Sequence, residues 1–229
     1  MMVSVANITD YLEELFPGRF AEDWDNVGLQ IGAPCITCRT IMVCLTVTEA
    51  VVDYAVENSV DLIIAHHPLI FSPLKRIVYG DSIGRVISKM LTHHISLFVA
   101  HTNADQAQGG LNDWLAEDLG LESIKILRPT VVNEDPVQAG YGRYGKLHQP
   151  HSLEEFALRV KDILGVDYVR FVGDGNQPVS NIAVNCGSGS NIWQEAVKAG
   201  CDVLVTGDLK YHTAMDVMES LVRQLPTGF

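Results

Sequence analysis

The sequence has few basic residues and no long apolar run. Sixteen lysines and arginines stand against 28 aspartates and glutamates, which gives a formal net charge of −12. A chain with this charge repels a polyphosphate backbone, so we expect no general nucleic-acid binding. No apolar stretch approaches the roughly 18 residues that span a bilayer, and residues 1–7 lack the features of a signal peptide. The composition therefore predicts a cytoplasmic protein without a membrane segment.

Cysteine is also scarce. The five cysteines are an odd number, and without a secretory signal they predict reduced thiols. Cys35 and Cys38 have the C-x-x-C spacing, but no second pair completes a zinc site. We interpret them as part of a loop before the next strand. A length of 229 residues allows one large or two small domains.

Apolar runs alternate with amphipathic stretches along the chain. We predict helices over about 5–16, 49–59, 82–92, 111–119, 152–164, 191–199 and 213–224, and strands over about 40–47, 61–65, 96–100, 167–172, 181–185 and 202–206. Strands joined by helices of this length form right-handed crossovers in an α/β fold with mostly parallel or mixed sheets. Residues 128–145 hold two prolines and three glycines, so we place a boundary there. One α/β lobe then covers residues 1–128 and a second covers 129–229.

Two adjacent histidines, His66 and His67, follow the apolar run at 61–65 and precede Pro68. Successive side chains of a strand point to opposite faces, so a core strand has no use for two imidazoles in a row. At the carboxyl end of a strand, both can reach one ion. Adjacent histidines also occur on surfaces, and His93 with His94 fits that description. A surface pair is the alternative for His66 and His67.

A second apolar run, at 96–100, ends in the same way. It is followed by His101 and, four residues later, by Asp105. Ligands of open α/β sheets bind outside the carboxyl ends of strands, so the two strand ends predict a shared site. His101 is a candidate for proton transfer or for orienting a ligand; the alternative is a histidine that only forms a structural hydrogen bond.

Five segments resemble the Nif-three-like family, also called GTP cyclohydrolase I type 2 homologues. In chain order they are Trp24–Gly32 (WDNVGLQIG), Ala65–Phe71 (AHHPLIF), His101–Asp105 (HTNAD), Gly187–Ser190 (GSGS) and Thr206–His212 (TGDLKYH). The resemblance implies a two-lobed α/β protein, often a homohexamer, with two divalent metals in the cleft between the lobes. It maps the metal ligands onto His66, His67 and Asp105. Zinc, manganese, iron and nickel all suit such ligands, and the sequence does not choose among them.

The end of the chain departs from the family pattern. In the family, the last helix leads into a strand ending in Gly-His-Tyr-x-x-Glu, whose histidine and glutamate complete the dinuclear site. Here the sequence runs from Met215 to Phe229 without that motif. We expect either an interrupted copy or a genuine variant with a poorer site, in which His212 or water completes the coordination. We also expect at most one ion per chain, and a marginally stable protein.

The resemblance predicts a metal-dependent hydrolase that acts on a nucleotide or another phosphorylated small molecule. The alternative is a metal-binding regulatory or scaffold protein without turnover. Gly187–Ser190 precedes a helix and is either an anion pocket or a plain tight turn. Trp24 and Asp25 are interpreted as a loop anchor, with a buried Trp24 and with Asp25 bonded to backbone.

Overall fold

Three parallel strands and one antiparallel strand form the sheet of the first unit, Met1–Ala107. In this computed structural model, residues 2–132 and 135–223 are described. The strands are β1 (Gly28–Ile31), β2 (Ile41–Thr46), β3 (Leu62–His67) and β4 (Ser96–Val99), in the spatial order β1-β4-β3-β2. β1 is antiparallel to β4, whereas β2, β3 and β4 are parallel. The predicted strands at 40–47, 61–65 and 96–100 are confirmed.

Four helices accompany this sheet: α1 (Val5–Leu15), α2 (Glu49–Glu57), α3 (Ser82–Thr92) and α4 (Thr102–Gln106). α1 begins at a capping box, because Ser4 accepts a hydrogen bond from the backbone of Asn7 while the Asn7 side chain accepts one from Ser4. The apolar side chains of β3 and β4 are buried on both faces of the sheet. Those two strands are therefore central and fixed by packing.

β2 lies at the edge of the sheet and is only partly buried. Ile41, Val43 and Leu45 are exposed, while Met42 and Cys44 pack against the core. β2 therefore has a neighbour on one side only, and the face that carries Ile41, Val43 and Leu45 is uncovered.

The second unit, Gln108–Phe229, has a four-stranded mixed sheet. Its strands lie in the order β5 (Glu122–Val132), β6 (Asp135–Ser152), β7 (Pro178–Asn185) and β8 (Val203–Thr206). The pairs β5–β6 and β6–β7 are antiparallel, and β7–β8 is parallel. The helices are α5 (Leu111–Asp118), α6 (Leu153–Leu164), α7 (Trp193–Lys198) and α8 (Tyr211–Arg223). The predicted α/β fold with mixed sheets is confirmed.

Two predictions about the second half were wrong. Residues 128–145, where we placed the boundary between the lobes, mostly belong to the antiparallel strands β5 and β6. The chain divides instead after Ala107, because α5 and β5 pack with the second sheet. Residues 167–172 form no strand. We predicted that no closing strand follows the last helix. Residues 225–229, on which that prediction falls, lie outside the described residues.

Within the described residues, no helix combines the length and the apolar character needed to cross a membrane. The five cysteines are all free thiols.

Candidate metal centre

The carboxyl ends of β3 and β4 place three histidines and one aspartate together in the first unit. His66 and His67 are the last two residues of β3, and Ala65 pairs with Val99 of the neighbouring β4. His101 follows β4 and caps α4, so that Asp105 lies one helical turn further along, with its N–H bonded to the His101 carbonyl at 3.1 Å. The shared site predicted from the two strand ends therefore has a structural basis.

The three imidazole rings, which we call the histidine cluster, lie within contact distance of one another. Ring centroids are 5.2 Å apart for His66 and His67, 5.0 Å for His66 and His101, and 5.9 Å for His67 and His101. Nε2 of His66 lies 3.8 Å from Oδ1 of Asp105. Two atoms bound to one tetrahedral ion at about 2 Å are separated by a little over 3 Å, so this pair is spaced close to what a shared ion requires.

Each histidine of the cluster uses Nδ1 in a hydrogen bond. Nδ1 of His66 donates to the carbonyl of Ala100 at 2.9 Å, and Nδ1 of His67 shares a 2.7 Å hydrogen bond with the hydroxyl of Thr46. Nδ1 of His101 lies 2.9 Å from Oδ1 of Asp25. Metal-binding histidines usually have this arrangement, because a bond at one ring nitrogen fixes the ring and directs the other nitrogen.

Asp25 is the centre of a buried hydrogen-bond network. Its side chain is fully inaccessible to solvent, and it accepts hydrogen bonds from the backbone N–H and hydroxyl of Thr102 as well as from His101. The prediction that Asp25 bonds to backbone is confirmed. The prediction that Trp24 is buried was wrong: the residue is 55% exposed, although its ring contacts those of Phe71 and His101.

Burial shifts the pKa values of His66, His67 and Asp105. It lowers the pKa of His66 to about 4, although the hydrogen bond to Ala100 opposes the shift, and it raises the pKa of Asp105 to about 6. The pKa of His67 is also lowered by burial. Burial alone would raise the pKa of Asp25, but the hydrogen bonds from Thr102 and His101 outweigh it and hold the pKa below its ordinary value. At neutral pH, His66 is therefore neutral, as a metal ligand must be.

The chemistry of these donors fits a divalent ion, but the geometry is incomplete. His66 and Asp105 supply a neutral imidazole nitrogen and a carboxylate, which suit zinc, manganese, iron or nickel. Across residues 2–132 and 135–223, however, no three His, Cys, Asp or Glu side chains are arranged as a group that could hold a metal. Coordination by all three predicted ligands, His66, His67 and Asp105, thus stays a prediction.

The predicted anion pocket in the second unit is a packed turn. The N–H of Gly189 is bonded to the Thr206 hydroxyl and the Gly187 carbonyl, and the hydroxyl of Ser188 donates to Asp208. These backbone and hydroxyl groups are used internally, and a carboxylate faces the loop. The structure therefore favours the tight turn that we gave as the alternative. His212 is exposed, and its ring contacts that of Tyr211.

Sequence reasoning did not find the parts played by Asp25 and Thr46. Asp25 was interpreted as a loop anchor, although its place in a W-D-N segment that shares the family pattern was an available signal. Thr46 is the last residue of β2 and pairs in register with His67, so recognising the strand register would have found it.

The fold and the histidine cluster together define a class of protein. It has two α/β units, and strand ends in the first unit carry clustered histidines beside a buried carboxylate. The chain belongs to the Duf34/NIF3 (NGG1p interacting factor 3) family, whose profile matches residues 3–228. A GTP cyclohydrolase 1 type 2 homolog of Clostridium acetobutylicum is 33% identical over 228 residues, covering 100% of this chain and 84% of that protein. The NIF3 homolog of Schizosaccharomyces pombe is also 33% identical, over 94% of this chain and 81% of its own length.

A solved structure has the same fold. The Bacillus cereus protein related to NIF3 superposes with a TM-score of 0.90 at 28% identity, covering 96% of this chain and 86% of that one. The family resemblance predicted from the five motifs is confirmed.

Proposed function

We propose that this protein is a divalent-metal-dependent hydrolase that acts on a nucleotide or another phosphorylated small molecule in the cytoplasm. The observation that carries the proposal is the shared arrangement of the histidine cluster. Three rings at neighbouring strand ends each have Nδ1 engaged, by Ala100, Thr46 and Asp25. A structural histidine gains little from such uniform orientation, whereas a site for ions and water requires it.

His66 and Asp105 are the residues that would hold the ion, and His67 is the third ligand proposed. When bound, a divalent ion supplies Lewis acidity and makes hydroxide available near neutral pH. His66 and Asp105 would fix the position of that ion, since both side chains are largely buried and lie on β3 and α4.

His101 is the proposed general base. Its Nδ1–H is held by Asp25, so its Nε2 is the nitrogen that takes up a proton from attacking water. The buried Asp25 carboxylate stabilises the imidazolium that forms, because it stays ionised and lies next to the ring. His101 afterwards returns the proton to the leaving group.

A metal-reconstitution screen tests the proposal. Chelator-treated protein is reloaded with Zn²⁺, Mn²⁺, Fe²⁺ or Ni²⁺ and incubated with GTP, other nucleotides and sugar phosphates, and substrate loss and phosphate release are measured. We expect turnover that requires one of these ions and that falls to background in Asp105→Asn. Turnover that persists in chelator, or in Asp105→Asn, would rule out the proposed reaction.

One observation favours a second function. The described residues contain no ready-made group of three metal ligands, so an ion at His66 and Asp105 would be held weakly, which suits reversible metal binding for regulation or scaffolding more than turnover. This alternative predicts metal binding without turnover on any substrate of the screen. The family resemblance also leads us to propose a homo-oligomer, a hexamer in particular, which mass measurement in solution would test.

A further inference from the structure

Two exposed aromatic side chains border the histidine cluster. Trp24 is 55% exposed and Phe71 is 51% exposed, and their ring centroids lie 5.7 Å apart with a tilt of 48°. The Trp24 ring also meets the His101 ring edge-on, at a centroid distance of 6.2 Å. Large aromatic side chains are on average well buried. A contacting pair that stays half exposed beside a polar cluster therefore offers surface to something else.

The backbone segments that carry the two rings are tied together. Ile70 precedes Phe71, and its carbonyl accepts hydrogen bonds from the side-chain amides of Asn26 and Gln30. The backbone N–H of Ile70 donates to Oε1 of Gln30 at 2.9 Å. The Gln30 amide also donates to the Asn26 carbonyl at 2.7 Å. Asn26 lies two residues after Trp24. The pair is thus held in place before any ligand arrives, which reduces the entropy lost on binding.

We infer that Trp24 and Phe71 form an aromatic platform that stacks a planar aromatic ring of the substrate. The inference deepens the proposed function and rests on it, because the platform borders the cluster proposed to carry the reaction. Aromatic side chains stack on any nucleobase, since every base has a π-face. The edge-on contact between Trp24 and His101 brings the platform next to the proposed general base. The aromatic ring of the substrate is the part that the platform recognises, and the rest of the substrate reaches His66 and His101.

A matched pair of ligands isolates the aromatic ring. Adenosine monophosphate and ribose 5-phosphate share the sugar phosphate and differ by the base. Each is titrated calorimetrically into the protein, once in chelator and once with Mn²⁺. We expect adenosine monophosphate to bind about tenfold more tightly than ribose 5-phosphate, and guanosine monophosphate to bind as tightly as adenosine monophosphate. Equal affinity for the ligands with and without a base, or no binding of either, would overturn the inference.

Variants assign the preference to the platform. Trp24→Ala and Phe71→Ala should each abolish the preference for the base, so that adenosine monophosphate binds no more tightly than ribose 5-phosphate. Tyr54→Ala removes another exposed aromatic ring of the first unit, on α2, and should keep the preference. A preference that survives in both platform variants overturns the inference. So does a smaller oligomer in Trp24→Ala, because the platform would then be a contact between copies of the chain.

These results separate the inference from the proposed function. A base preference that depends on Trp24, in a protein without metal-dependent turnover, supports the platform and refutes the hydrolase. Turnover of aromatic and aliphatic phosphates at equal efficiency supports the hydrolase and refutes the platform.

Discussion

Nδ1 of His101 donates a 2.9 Å hydrogen bond to the fully buried carboxylate of Asp25. The bond orients the ring, whose centroid lies 5.0 Å from that of His66 and 5.9 Å from that of His67. Asp25 is a positioning residue, since it acts through His101 and is not one of the proposed metal ligands.

Asp25→Asn should reduce turnover about 10- to 100-fold, as losses of residues that orient a catalytic group do, with little change in metal affinity. The amide keeps the size of the side chain but carries no charge to stabilise protonated His101. The readout is kcat as a function of pH, in which the limb that reports the general base should shift. Asp23→Asn, which removes an exposed charge two residues away, is the control. Unchanged kcat and pH profile in a folded Asp25→Asn protein would remove Asp25 from the mechanism.

The buried pair His66 and Asp105 predicts opposing effects of pH on stability in metal-free protein. Asp105 has its pKa raised to about 6, so between its unfolded value and 6 the folded state binds more protons, and the free energy of unfolding falls as pH rises. His66 has its pKa lowered to about 4. Its contribution is present above the unfolded value of 6.5 and is lost as pH falls towards 4.

Urea unfolding between pH 4 and 6 separates the two contributions. Asp105→Asn should make the free energy of unfolding rise more steeply with pH than in the parent, because the His66 contribution is then unopposed. His66→Ala should make the free energy of unfolding rise less steeply with pH than in the parent, because the Asp105 contribution is then unopposed. If the free energy of unfolding changed equally with pH in the parent and in both variants, burial would not shift the pKa values of His66 and Asp105 as described.

Gly32 ends the W-D-N-V-G-L-Q-I-G segment, and a side chain does not fit there. Its φ is +113°, and an added Cβ would lie 2.3 Å from Oγ of Ser96 on β4. Gly32→Ala should therefore lower the free energy of unfolding by about 1–3 kcal/mol. Gly80→Ala, at a position where nothing lies within 4 Å of the added atom, should stay within about 0.5 kcal/mol. Chemical denaturation compares the two, and equal stabilities would contradict the close approach of Gly32 to β4.

An ion pair in the second unit provides an independent stability test. The guanidinium of Arg143 is 2% exposed and donates from both Nε and Nη2 to the carboxylate of Asp113. Removing one partner of a buried pair typically costs about 3–5 kcal/mol, so Asp113→Ala should destabilise the protein by that amount. Glu117→Ala removes an exposed charge of the same helix and is the control. The two variants are compared by urea denaturation, and a loss under about 1 kcal/mol in Asp113→Ala would show that the pair is not important for folding.

Predictions from the sequence were most accurate where buried packing determines the pattern of apolar residues. Buried strands followed by polar residues located β3 and β4, and hence His66, His67, His101 and Asp105. The same reasoning failed for residues 128–145, because glycines there were interpreted as loop signals. Gly140 and Gly142 lie within β6, where neighbouring backbone leaves no room for a side chain.

The hydrogen bonds of the candidate site were harder to predict than its position. Asp25 lies 76 residues before His101, and no local pattern joins two positions so far apart. The exposure of Trp24 was also missed, since an aromatic residue next to a bonded aspartate has the pattern of a buried anchor. Long-range pairing and solvent exposure are tertiary properties that short motifs do not encode.

Elemental analysis after extensive dialysis against metal-free buffer shows whether His66 and Asp105 hold a metal ion. We expect one Zn²⁺, Mn²⁺, Fe²⁺ or Ni²⁺ ion per chain, with loss of the ion in His66→Ala and in Asp105→Asn. A second tightly held ion is not expected, because Asp25, the other carboxylate bonded to the histidine cluster, already accepts hydrogen bonds from Thr102 and His101. His93→Ala, at an exposed histidine of the same unit, should retain the ion. A parent protein that binds no ion, or variants that retain it in full, would contradict a metal centre at His66 and Asp105.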